Sequence, residues 1–263
     1  MARAFWKGAI SFGMVAIPVK MYTATTVKTP AFHLLHKKCL TRPEQVLHCS
    51  TDEEYFTSKD TVRGYEYAKG QFVVLDERDF ERVRLKTLRA IQIQGFVNID
   101  EIDRIYYSGS HYLEPEELGV KPFVLLRDAL RQTNRAGVAK VAFQRREHLC
   151  ALRPLGDVLA LHTLHFSDEI LPRDEMAPAK QNIAPAEMDM AVSLINAMAA
   201  SFDPSAYKDE YRGALQKMIK AKTEGKEIKL LKEPEVLMPD LMSALRASIE
   251  AAGKKKVPAG RTA

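Results

Sequence analysis

The first 43 residues contain no aspartate and no glutamate. The chain as a whole does not lack acids: 39 Lys and Arg stand against 34 Asp and Glu, a formal charge of +5. The opening is therefore an asymmetry, and a field of one sign attracts polyanions and repels cations. Cysteine is scarce. Cys39, Cys49 and Cys150 are too few and odd in number for a disulfide framework, which argues for a reduced, cytoplasmic setting. No apolar run approaches the roughly 20 residues that span a bilayer, and the stretch flanked by Lys7 and Lys20 reads as strand, not as a secretory signal. Enzyme signatures are missing as well. There is no Gly-x-x-x-x-Gly-Lys-Ser/Thr phosphate loop, no Gly-x-Gly-x-x-Gly and no His-Glu-x-x-His. Gly8-Ala9-Ile10-Ser11-Phe12-Gly13 has the wrong spacing for a nucleophile elbow, so Ser11 reads as structural.

What the opening does hold is Arg3, Lys7, Lys20, Lys28, Lys37, Lys38 and Arg42, densest between Phe32 and Pro43. Two readings of that stretch are open: a nucleic-acid surface and a solvated basic face. Residues 4–22 are rich in Phe, Ile, Val and Tyr around Gly8, Gly13 and Pro18, and predict two short strands with a tight turn. Residues 24–62 have weak apolar periodicity and are too long for an ordinary connection. They predict disorder or an extended functional arm. Folding is expected to resume at Arg63, with Gln71–Leu75 as a buried strand and Asp76 capping a helix from Glu77 to about Leu85.

Ala90–Val97 alternates like a half-buried strand, and 105–113 reads as strand, Ser108-Gly109-Ser110 turn, strand. A helix is expected from Lys121 to about Gln132, then strands over 138–143, 149–153 and 158–166. Short strands at this density favour an antiparallel barrel or sandwich with a few helices. Residues 167–184 read as a surface connection. Helices follow from Pro185 to about Phe202, and after Asp203-Pro204 to about Glu224, where Gly225 ends the second. Residues 226–238 read as a linker. A terminal amphipathic helix then carries Leu241, Leu245 and Ile249 in line and ends at Gly253. A helix this short needs a surface to pack on, its own or a partner's.

Two further clusters carry possible chemistry. His33, His36, Cys39, His48 and Cys49 are zinc-ligand types, which allows a zinc-dependent hydrolase as a rival reading, although paired Cys-x-x-Cys knuckles are missing. Arg131, Arg135, Lys140, Arg145 and Arg146 form a second basic zone. Tyr65 and Tyr67 suit base stacking or packing. A sequence-specific DNA-binding regulator is the other rival.

Phe5-Trp6-Lys7-Gly8-Ala9-Ile10-Ser11-Phe12-Gly13 with Ile17-Pro18-Val19-Lys20, Phe32-His33 with His36-Lys37-Lys38-Cys39, and Arg63-Gly64-Tyr65-Glu66-Tyr67 occur in order. So do Tyr112-Leu113-Glu114-Pro115, Arg146-Glu147-His148-Leu149 with Ala151-Leu152-Arg153-Pro154, and Phe202-Asp203-Pro204 with Tyr207. In these motifs the sequence resembles the bacterial Ku proteins, which bind DNA ends in non-homologous end joining.

The resemblance implies a mainly β fold with α: a Ku-type β-barrel core over 1–184 with a DNA-encircling bridge arm at about 24–62. It implies core helices over 185–225, a linker over 226–238, and a ligase-recruiting helix with a short basic tail over 239–263. It implies no enzymatic activity and no cofactor. The expected partners are double-stranded DNA ends, a second identical copy closing a ring, and an ATP-dependent DNA ligase of the LigD type, in the cytoplasm at the nucleoid. The expected DNA contacts are Lys20, Lys28, Lys37, Lys38, Arg42 and Arg63, with Arg131, Arg135 and Lys140 as a second group and Lys254, Lys255 and Lys256 in the tail. Leu241, Leu245 and Ile249 are the expected ligase contacts. Many relatives carry Cys-x-x-Cys where this chain has Cys49-Ser50-Thr51-Asp52, which counts against a zinc site in the arm.

Overall fold

Ile17, Val19 and Met21 are fully buried while Pro18, Lys20 and Tyr22 between them are not, the period of a strand with one face on a core. The computed structural model describes residues 3–83, 87, 89–144, 146–173, 182–226 and 241–254. The strand is β2 (Val15–Thr23), and it pairs antiparallel with β1 (Trp6–Phe12) across Gly13-Met14. Gly13 stands at φ 56°, the left-handed conformation that a two-residue hairpin turn requires and that glycine adopts without a Cβ penalty.

The barrel is completed by β7 (Ala90–Asn98), β8 (Tyr107–Pro115), β9 (Arg135–Phe143), β10 (Arg146–Leu155) and β11 (Val158–Leu164). It closes in the order β1-β2-β8-β11-β10-β9-β7, antiparallel except where β1 meets β7 in parallel, with Ile10 opposite Ile91. Closure leaves no unpaired barrel edge. Inside lie Ile10, Ile91, Leu113, Val141, Leu152, Leu159 and Leu161, all essentially inaccessible. The helix α2 (Val120–Thr133) sets Phe123, Leu126 and Leu130 into the same core, one apolar face at helical spacing.

Residues 31–48 and 61–74 are exposed throughout. Two small hairpins interrupt this excursion: β3 (Leu47–Cys49) with β4 (Glu54–Phe56), and β5 (Arg63–Ala68) with β6 (Gln71–Leu75). The apolar run at 71–75 is a strand as expected, but not a buried one. It pairs only with β5 in a two-stranded sheet, so neither face is covered. Compact folding therefore does not resume at Arg63. The helix α1 (Glu77–Arg82) is capped as its sequence predicts: the Asp79 amide donates to Asp76 Oδ1 over 2.9 Å, and the Asp76 amide returns a bond to Asp79 Oδ2 over 3.0 Å.

Ser108-Gly109-Ser110 is not a turn. It runs inside β8, and a Cβ at Gly109 would lie 2.8 Å from Thr163 Oγ1. The glycine admits the close approach of β11, and Ser108 Oγ bonds Thr163 Oγ1 over 2.9 Å.

The chain divides into two compact units, Met1–Arg173 and Asp174–Ala263. The second holds α3 (Pro185–Met198), α4 (Glu210–Thr223) and α5 (Leu241–Lys254). Asp209 caps α4 by accepting from the Arg212 amide over 2.8 Å, and Gly225 at φ 68° follows its end. The sequence places Gly253 at the end of α5, yet it lies within the helix. α5 packs against α3, with Leu245 and Ile249 half-buried. The linker expected over 226–238 lies, apart from Lys226, outside the described residues.

Candidate nucleic-acid interface

The arm leaves the barrel at Thr23, where the Ala24 amide still donates to the Ser110 carbonyl of β8 over 3.1 Å. Beyond that point residues 24–46 form no strand or helix, and a single turn covers Lys37, Lys38 and Cys39. The turn is closed by two backbone bonds: the His36 amide to the Thr41 carbonyl, and the Leu40 amide to the His36 carbonyl, each 2.8 Å. It places Lys37, Lys38 and Arg42 together on an exposed loop. Lys28 lies nearer the root, also exposed. None of these four cations has a carboxylate within ion-pair distance among the described residues.

Lys20 sits on β2 with its side chain outside the barrel. The hairpin register sets it opposite Lys7, and on its other side stands Glu114, whose carboxylate accepts from the Tyr22 hydroxyl. Two like charges directly opposite in a ladder repel one another, which suits a surface that meets an anion. The sequence reading gives Lys7 no role. The symmetry of positions 7 and 20 about the Gly13-Met14 turn is the signal that pairs them.

Arg63, Arg131 and Lys140, by contrast, are tied up internally. Arg63 lies 3.8 Å from Glu77 and 5.2 Å over the Phe80 ring. Arg131 bonds Asp128 over 3.3 Å and donates to the Gly156 carbonyl, bracing the β10–β11 turn against α2. Lys140 lies 3.2 Å from Glu147, whose other oxygen accepts from Thr87 over 2.9 Å. These hydrogen bonds hold the Glu147 carboxyl below its usual pKa, Thr87 contributing most. Arg146 pairs with Glu169, and Arg145 lies outside the described residues. Among its described members the second basic zone is thus largely neutralised, and of these Arg135 alone lacks a carboxylate partner. In the tail, Lys255 and Lys256 lie outside the described residues, as do the side chains of Lys254 and Leu241.

The histidines and cysteines of the arm do not assemble. His36 Nδ1 lies 3.0 Å from Cys39 Sγ, while His48 stacks on Tyr55 at 4.8 Å and Cys49 donates to Asp52 over 3.4 Å. Among the described residues no three His, Cys, Asp or Glu side chains form a metal-holding group. Cys39 Sγ is also 2.9 Å from Thr41 Oγ1, and bonds from the Thr41 hydroxyl and backbone, then from His36, lower its thiol to about 7.

The Ku70/Ku80 beta-barrel domain family matches this chain over residues 11–190. The chain is 42% identical over 257 residues to the non-homologous end joining protein Ku of Symbiobacterium thermophilum, covering 95% of this chain and 63% of that one. It is 35% identical over 263 residues to the protein of the same name from Solibacter usitatus, covering 99% and 98%. With the Archaeoglobus fulgidus protein of that name it shares 38% identity, covering 95% and 99%. The chain thus spans less than two thirds of the length of the Symbiobacterium relative and nearly all of the other two. Among the described residues no helix is long and apolar enough to cross a membrane.

Proposed function

The chain belongs to the Ku family, and from that premise we propose that it binds the ends of double-stranded DNA without reading sequence, for repair of double-strand breaks by end joining. The observation that carries this is the first limb of the arm: exposed, free of acids as far as Pro43, with Lys28, Lys37, Lys38 and Arg42 lacking an internal counter-charge among the described residues. Such cations contact phosphates, which carry no base identity. Lys20 at the arm's root and Arg135 on β9 join this set. Arg63, Arg131 and Lys140 contribute less, because contact with DNA competes with their carboxylates or carbonyls.

The binding form is a homodimer. The β5–β6 hairpin exposes Tyr65 at 64% and Phe72 at 61%, together with Tyr67 and Val74. A two-stranded hairpin with both faces in water is marginal alone. A second copy supplies the missing cover, and two arms about a two-fold axis enclose the duplex. Threading through such a ring requires a free end.

α5 recruits an ATP-dependent DNA ligase through the face that carries Leu245 and Ile249. Both side chains are half-buried and α5 packs against α3, so the ligase meets the α3–α5 pair as one surface.

The test is a gel-shift comparing linear duplex with a covalently closed circle of the same sequence. The linear form should be bound and the circle not. Equal binding to both would exclude end recognition.

A further inference from the structure

We propose that Leu40 is an apolar contact that enters a groove of double-stranded DNA, seated among the phosphates met by Lys37, Lys38 and Arg42; the inference rests on the DNA-binding reading above. Leu40 stands at φ 54°. For a residue with a Cβ this left-handed conformation is strained, and glycine or asparagine is its ordinary occupant. Leu40 is also 69% exposed. A lone exposed leucine calls for no explanation. An exposed leucine on left-handed backbone does, since glycine would relieve the strain and sacrifice little packing within the chain.

The turn around it is built to hold that conformation. Two backbone bonds of 2.8 Å close it between His36 and Thr41, and the chain of contacts His36 Nδ1, Cys39 Sγ, Thr41 Oγ1, at 3.0 and 2.9 Å, braces it from the side. Strain kept in place by such bracing is characteristic of positions that act on something outside the chain.

Charge decides the occupant. Leu40 lies within three residues of Lys37, Lys38 and Arg42, and no acid precedes Glu44. A protein surface that buried Leu40 would have to accept those three cations in the same patch. The groove of a duplex offers apolar sugar walls between two rows of phosphates, so leucine and cations are satisfied together. Sugar contacts do not discriminate bases, so binding remains independent of sequence.

The experiment measures affinity of the full chain for a short linear duplex by fluorescence anisotropy across a salt series, for the wild type, Leu40→Gly, Leu40→Ala and Leu40→Met. Leu40→Gly relieves the backbone, and Leu40→Ala keeps the side chain's stiffening of it, so a loss common to both belongs to the side chain. Both should weaken binding about tenfold, the scale of one leucine withdrawn from water, with the slope of log K against log salt unchanged, and Leu40→Met should retain most of the affinity. Wild-type affinity in both truncated variants would overturn the inference. So would a fall in molecular mass by sedimentation in Leu40→Gly, which would place Leu40 against protein. A wild-type chain that bound no linear duplex would instead overturn the DNA-binding reading, and this inference with it.

Discussion

Arg153 Nε donates to His162 Nε2 over 2.8 Å, and a guanidinium at that distance holds the imidazole neutral. With Nε2 accepting, the His162 proton sits on Nδ1, which donates to Ser110 Oγ over 2.9 Å. Tyr107 meets the ring edge-on at 5.5 Å. One histidine thus joins β8, β10 and β11. Burial lowers its pKa to about 4, with Arg153 and then His111 adding repulsion.

That geometry makes the barrel acid-sensitive. In the unfolded chain His162 titrates at its ordinary value of 6.5, and in the native barrel at about 4. Between those values the unfolded chain binds a proton that the native chain does not, so stability is full above the upper value and falls toward the lower one. His111 and His148 are lowered in the same direction, chiefly by burial, and add to the slope. The thermal midpoint should drop by several degrees on going from neutral pH to pH 5, and His162→Gln should flatten the dependence. A midpoint independent of pH across that window would refute the assignment.

Lys37→Ala and Lys38→Ala should each flatten the slope of log K against log salt by about 0.9 for linear duplex DNA, as expected for one lost phosphate contact. Lys140→Ala should change the slope less, because its charge already faces Glu147 at 3.2 Å. An unaltered slope in the double Lys37→Ala/Lys38→Ala variant would remove the turn from the interface.

The three thiols should separate by reactivity. Cys39 is exposed with its thiol lowered to about 7, whereas Cys150 is buried and its thiol is pushed up by desolvation. Iodoacetamide at neutral pH, followed by mass spectrometry, should modify Cys39 first and leave Cys150 intact until the chain unfolds. Thr41→Val should slow Cys39, since the largest hydrogen bond to its thiolate is removed.

Barrel packing is open to direct measurement. Leu152 is fully buried, and Leu152→Ala should cost about 2–5 kcal/mol by urea unfolding. Gly109→Ala should also destabilise, since its Cβ would stand 2.8 Å from Thr163 Oγ1 and break the Ser108–Thr163 contact. A Gly109→Ala variant as stable as the wild type would show that β8 and β11 separate without penalty.

Much of the barrel was legible from local signals. The alternation of Ile17, Val19 and Met21, the Gly13 turn and the cap at Asp76 are encoded within a few residues, whereas the helix expected after Asp203-Pro204 begins only at Glu210, behind the cap Asp209. The misreadings share one cause. Phe72-Val73-Val74 looks like a core strand because apolar runs usually are, and only the missing second sheet leaves it in water. Ser108-Gly109-Ser110 has turn composition, but its glycine serves a neighbouring strand 54 positions away.

For the candidate site the division is similar. The sequence by itself determined where positive charge is dense and free of nearby acids, since that depends on neighbours along the chain: Lys28 to Arg42. Tertiary structure alone decided which cations keep that charge available. Arg131 reaches the Gly156 carbonyl 25 positions away and Arg146 reaches Glu169 23 positions away, because the barrel hairpins and α2 return distant chain to the same place. The strained backbone of Leu40 is held by local bonds between His36 and Thr41, yet leucine carries no sequence signal for a left-handed turn, so composition could not announce it as Gly13 announces the hairpin.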